Sequence, residues 1–194
     1  MKIAIVKYNA GNVESVKNAL NRLNVEPVLT DDAEILKAAD KVIFPGVGEA
    51  SSAMNYLRSR NLDAVIKSLR QPVLGICLGM QLLCEFSDEN ETNCLGILPY
   101  RVRKFASGAL KVPQMGWNNI FDLQTNLFAG VDEDSYMYFV HSYYVESGTE
   151  TIATCDYGEK FSAAVRHENF YAVQFHAEKS GAAGAKILEN FLKI

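Results

Sequence analysis

The four cysteines, Cys77, Cys84, Cys94 and Cys155, form no Cys-x-x-Cys pair, and the three histidines are not spaced like zinc ligands. Neither a metal nor a cofactor is therefore assigned to the chain. A basic cluster is missing too: nineteen Lys and Arg against twenty-three Asp and Glu are spread along the sequence for a net charge of −4. That argues against a nucleic acid or an anionic membrane as partner. No apolar run approaches the roughly eighteen residues of a membrane span, and "MKIAIVKY" lacks the small-residue cleavage pattern of a secretory leader. A soluble cytoplasmic protein is expected. In that reducing setting a cysteine is ordinarily a small buried hydrophobe, which suits Cys84, Cys94 and Cys155.

What the chain does have is 194 residues, 48% of them apolar, enough for one well-filled core and too few for two, so residues 1–194 are read as a single domain. "MKIAIVKY" alternates like a first strand. A turn at residues 9–11, a cap at Asn12 and apolar residues Val13, Val16, Ala19, Leu20 and Leu23 at helical spacing follow. "VEPVLT" reads as a strand, "DDAEILKAA" as a helix and "KVIFPG" as a third strand. Helices over residues 49–58 and 61–69 lead to the strand "PVLGIC" and a helix through Leu83. Such alternation predicts an α/β fold with a mainly parallel, doubly wound sheet and helices on both faces, flavodoxin-like in kind. After Asn93 shorter runs, "GILPYRVRKF", "SYMYFVHSYYV", "ETIATCDY" and "FSAAVRHENFYAVQFH", predict mixed or antiparallel additions before a final helix, "GAAGAKILENFLKI". "VPQMGWNNI", with the only tryptophan, reads as a packed loop.

Ligands of open α/β sheets bind beyond the carboxyl ends of the strands. Three segments end there. "GICLG" puts Cys77 on a strand-to-helix elbow, where flanking glycines allow a tight bend and the following helix offers N–H groups and a positive dipole end that favour a thiolate and bind an oxyanion. Leu78 N–H is the natural donor. In "FHAE", His176 and Glu178 are two residues apart, so in extended backbone both side chains leave the same side and the carboxylate can orient the imidazole. "PGVG" lets backbone amides of Gly46, Val47 and Gly48 turn toward a developing oxyanion. His141 and His167 have no such neighbours and read as structural.

With those residues in place, the chain resembles class I glutamine amidotransferases, and within them the glutaminase subunits of imidazole glycerol phosphate synthases, through "YNAGN", "PGVG", "GICLGMQLL", "PQMGWN", "FVHSYY" and "HAEKS" in that order. The resemblance implies that Cys77 attacks the side-chain amide of glutamine to give a thioester, with His176 as acid and base and Glu178 holding it. It further implies an oxyanion strand at Gly46, Val47 and Gly48, head-group contacts from Gln81 and Glu89, and backbone contacts at Ser142 and Tyr143. Met115, Trp117, Asn119 and Lys179 fall where the family meets its partner, a (β/α)8-barrel cyclase that consumes the ammonia in histidine biosynthesis. The family's usual His-Pro-Glu is His176-Ala177-Glu178 here, which restores an N–H and frees φ at position 177. Competing readings are an amidotransferase feeding another synthase, a redox-sensing cysteine on the same fold, and a cysteine peptidase or esterase using the same acyl transfer.

Overall fold

The computed structural model describes residues 1–8, 12–106, 108 and 110–194, so the turn expected at residues 9–11 lies outside the described residues. The first half alternates as its periodicities predict. Strand β1 (Ile3–Val6) leads to α1 (Val13–Arg22), β2 (Val28–Thr30), α2 (Ala33–Ala38), β3 (Lys41–Gly46), α3 (Ala50–Ser59) and α4 (Leu62–Ser68). Then come β4 (Val73–Cys77) and α5 (Leu78–Leu83). Side chains in a strand point alternately to opposite faces. Accordingly Ile3 and Ile5 join Val16, Leu20, Ile187 and Phe191 in one core, while Ala4 and Val6 join Leu36, Met54, Leu57 and Ile66 in another. The sheet is therefore apolar on both sides and covered on both, by α1 and the C-terminal helix on one face and by α2 to α5 on the other.

The second half contributes β5 (Cys84–Ser87), β6 (Thr92–Asn93), β7 (Leu98–Lys104), β8 (Gln114–Ile120), β9 (Ser135–His141) and β10 (Tyr143–Val145). Strands β11 (Thr151–Asp156), β12 (Lys160–His167) and β13 (Phe170–Val173) precede α6 (Gly181–Lys193). The main sheet has the order β11-β12-β13-β4-β3-β1-β2. From β13 to β2 every pairing is parallel, and β12 and β11 extend the sheet antiparallel. A four-stranded sheet, β10-β7-β5-β6, and a two-stranded ribbon, β8-β9, complete the described structure. The packed loop expected at "VPQMGWNNI" is instead the full strand β8, paired antiparallel with β9 from Gln114↔His141 to Ile120↔Ser135. Among the described residues no helix is long and apolar enough to cross a membrane.

Candidate active site

Parallel pairing brings the carboxyl ends of β1, β3, β4 and β13 side by side, and each delivers one part of the site. Register pairs Gly46 with Cys77 at the ends of β3 and β4. Cys77 itself adopts φ 53 and ψ −110, a conformation that costs a non-glycine residue about 1–3 kcal/mol and turns the chain from strand to helix within one residue. The flanking glycines serve packing rather than mobility. A Cβ on Gly79 would lie 2.9 Å from the Phe44 carbonyl carbon and closer still to its oxygen, and one on Gly75 would lie 3.0 Å from Leu83 Cδ1 and 3.1 Å from Met80 N. Backbone thus rests on backbone, and the sulfur is held at the rim.

Behind the sulfur stands His176, fully buried, with Glu178 buried beside it. His176 Nδ1 lies 2.8 Å from Glu178 Oε1, which leaves Nε2 as the nitrogen free for chemistry. Nε2 is buried and, among the described residues, makes no hydrogen bond of ordinary geometry, a looseness common at catalytic pairs, which tighten around substrate. Burial by itself would lower the imidazole, but the Cys77 sulfur and then Glu178 outweigh it and push it up to about 9. Gln174 Nε2 donates to the sulfur at 3.7 Å, and the thiol is 3.9 Å from the Val140 carbonyl. The other cysteines have no such company: burial pushes Cys84 well up and Cys94 and Cys155 to about 12, so they remain thiols.

In front of Cys77 is a cavity of about 300 Å³, at the small end of ligand pockets. Val47, Gly48, Leu78, Gln81, Glu89, Ser142 and Tyr143 line it, as the sequence led us to expect, together with Pro113, Val140 and His141. Gly46 stays in β3 instead, and the Tyr8 hydroxyl occupies the space where its side chain would be and donates to the Pro45 carbonyl at 2.6 Å. Freedom in "PGVG" is therefore confined to Val47 and Gly48, the latter at φ 127 with open space around it. Gln81 spends its amide hydrogens on Tyr143 O at 2.9 Å and Gln174 Oε1 at 3.0 Å, leaving its own oxygen for a ligand. Glu89 accepts the Ala50 N–H at 2.8 Å, and burial raises its carboxyl.

Three residues entered the site unannounced. Asn12, expected to cap α1, sits at φ 72 with no side-chain cap bond and gives its amide to Glu178 Oε1 instead. Gln174, the donor to the sulfur, is the second. His141, expected to be structural, lines the cavity; its Nδ1 donates to Tyr143 O at 2.7 Å, which turns Nε2 into the acceptor. Burial holds it neutral, near 4. The residues expected at a partner surface also separate. Met115 and Trp117 are 66% and 56% exposed and, with Asn119, share one face of β8 by the period of two. Opposite them on β9 are Val140, Tyr138 and Tyr136, so a single ribbon face runs from the Cys77 cavity to an exposed apolar patch. Lys179 lies apart, on the short turn Ala177–Lys179 after His176.

A thiol on an elbow, an imidazole aligned by a carboxylate, and a cavity ringed by backbone amides are the parts of an amide-cleaving acyl-transfer site. Comparison with known proteins agrees: the family described as Glutamine amidotransferase class-I matches residues 5–194, and the chain belongs to it. Among curated relatives, the imidazole glycerol phosphate synthase subunit HisH of Bacteroides fragilis (strain YCH46) is 57% identical and that of Escherichia coli (strain K12) 48% identical, each covered completely by this chain and covering it completely. Two solved structures share the fold at low identity. One, of a glutamine amidotransferase, has TM-score 0.77 at 19% identity over 100% of this chain and 98% of that one. The other, of PurLQS from Thermotoga maritima, has TM-score 0.72 at 17% identity over 99% and 97%.

Proposed function

We propose that the chain is the glutaminase subunit of a cytoplasmic imidazole glycerol phosphate synthase, hydrolysing L-glutamine and handing the ammonia to a (β/α)8-barrel cyclase with which it forms a heterodimer in histidine biosynthesis. The observation that carries this is Cys77 lining the cavity, with the buried imidazole of His176 held by Glu178 and interacting with the Cys77 side chain. In the first half-reaction the sulfur bonds to the side-chain carbonyl carbon of glutamine, and the oxyanion forms among the amides of Leu78 and the Val47–Gly48 segment. His176, holding the proton taken from the thiol, gives it to the departing nitrogen as the C–N bond breaks. That releases ammonia and leaves a glutamyl thioester. Water then attacks the thioester, His176 takes its proton, and the C–S bond breaks to yield glutamate and the resting pair.

Ammonia that escapes to water is protonated and ceases to be a nucleophile, so a shielded exit toward a partner is a chemical need. The exposed face of Met115, Trp117, Asn119 and Tyr136, continuous through Val140 with the cavity, offers a docking surface at the right place, while Lys179 lies apart from it on the turn after His176. The test is ammonia release from glutamine by the chain alone and with the cyclase plus its ligand. Low activity alone and a rise on the order of 10²–10³, the worth of an oxyanion donor swung into place, is expected. Equal rates in both arms would refute gating, and no release in either would refute the glutaminase reading.

A further inference from the structure

Resting on that reading, we propose that Asn12 is a positioning residue of the site: its side-chain amide, at the N-terminus of α1, clamps the Glu178 carboxylate and thereby the imidazole of His176. Asn12 occupies the cap position of α1, where its carbonyl accepts the Val16 N–H but its side chain makes no cap bond. At φ 72 its side chain leaves the helix and reaches a carboxylate 166 residues away. The oxygen it meets, Oε1, is the same one that His176 Nδ1 contacts at 2.8 Å, and the Asn12 amide nitrogen lies 3.3 Å from Nδ1. Two polar groups converge on one atom, while the other oxygen, Oε2, is buried with no partner among the described residues. Asn12 thus adds a second contact to the oxygen that His176 uses. Without it the carboxyl is free to turn about its own axis, and the imidazole turns with it.

The backbone is secured separately. Ser180 Oγ donates to the His176 carbonyl at 2.7 Å and receives Tyr138 N–H at 2.9 Å, and His176 N–H donates to Tyr138 O at 2.9 Å. These bonds fix the segment that carries Ala177, where no proline ring limits φ, but none of them touches the Glu178 side chain. Among the described residues its hydrogen bonds come from Asn12 and His176 alone. A catalytic group displaced by about 1 Å loses on the order of 10²-fold in rate, so the clamp belongs to the chemistry and not to glutamine binding, whose contacts lie on the far side of the sulfur.

The experiment uses the full chain with its cyclase, L-glutamine as substrate, and the variants Asn12→Ala and Asn12→Asp. Asn12→Ala is expected to lower kcat by about 10²-fold with KM unchanged. Asn12→Asp sets a second carboxylate against Glu178, and two such groups share a proton, so its kcat is expected to recover as pH is lowered over a range where the wild type declines. The other ionisable groups around the pair are Cys77 of the elbow, Tyr138 and His141 of β9, Arg22 of α1 and Lys179, and both variants leave them in place. A readout independent of turnover is the NMR resonance of the His176 Nδ1 proton, expected in the wild type and broadened or lost in Asn12→Ala. Full kcat in Asn12→Ala, or an unchanged Nδ1 resonance, would overturn the clamp. A wild type that releases no ammonia yet loses the resonance in Asn12→Ala would instead overturn the glutaminase reading and leave the clamp standing.

Discussion

Gly79→Ala is expected to damage stability and chemistry together, because α5 begins directly after the nucleophile and at Gly79 rests backbone to backbone on β3. The added methyl would fall on the Phe44 carbonyl, whose carbon is 2.9 Å from the ideal Cβ position. Phe44 is fully buried in the middle of the sheet and its backbone has no room to retreat. Relief must come from α5 moving outward, which is overpacking of a close-packed interior and costs about 1–3 kcal/mol. For a chain of this length that lowers the melting temperature by about 2–12 °C. Gly75→Ala is the internal control: its nearest contacts are 3.0–3.1 Å, one of them the movable tip of Leu83, so a smaller loss is expected. Thermal melts and urea titrations of both variants measure this, alongside the rate at which a glutamine-directed alkylating label modifies Cys77. The reasoning fails if Gly79→Ala melts with the wild type, or if Gly75→Ala proves the more harmful.

Cys77→Ser should abolish ammonia release while leaving the melting curve near that of the wild type, since a serine hydroxyl keeps the volume but not the thiolate; substantial residual turnover would point to another nucleophile. Stability should peak near pH 6.5. His141 falls from 6.5 to about 4 on folding, so the unfolded chain takes the proton first and stability present above 6.5 is lost as pH drops toward 4, by about 3 kcal/mol at the limit. His176 rises from 6.5 to about 9, so its contribution is present below 6.5 and lost as pH climbs through 9. Denaturant titrations across pH read both flanks, and replacing either histidine should flatten its own. Trp117→Ala should weaken cyclase binding by about 2 kcal/mol, as loss of an exposed aromatic anchor does, without moving the melting temperature of the free chain; calorimetric titration decides.

The doubly wound half was legible because β1, β3 and β4 are buried on both faces and read as short apolar runs, while α1 and α3 each bury one apolar stripe at helical spacing. Strand β8 was not, for a reason visible in its side chains: the apolar Met115 and Trp117 face outward, while Gly116 and Asn118 alternate with them, inverting the pattern that marks a half-buried strand. Strand β5 follows α5 without a break, so no turn residue announces it. In the site, Cys77 was signalled by its glycines, and His176 and Glu178 by a spacing of two. Asn12 and Gln174 meet their partners across 164 to 166 and 97 residues, and nothing local marks such contacts. His141 carries no mark of its place at the cavity, because that place depends on the Tyr143 carbonyl two residues on, which fixes the tautomer only once β9 breaks into β10.

The most direct test is to mix the chain and its cyclase with glutamine, quench in acid within the first turnover and map the adduct by peptide mass spectrometry. A glutamyl group on Cys77, absent when His176 is replaced, is the predicted result. Ammonia released with no adduct on Cys77, or an adduct on Cys84, Cys94 or Cys155, would contradict it.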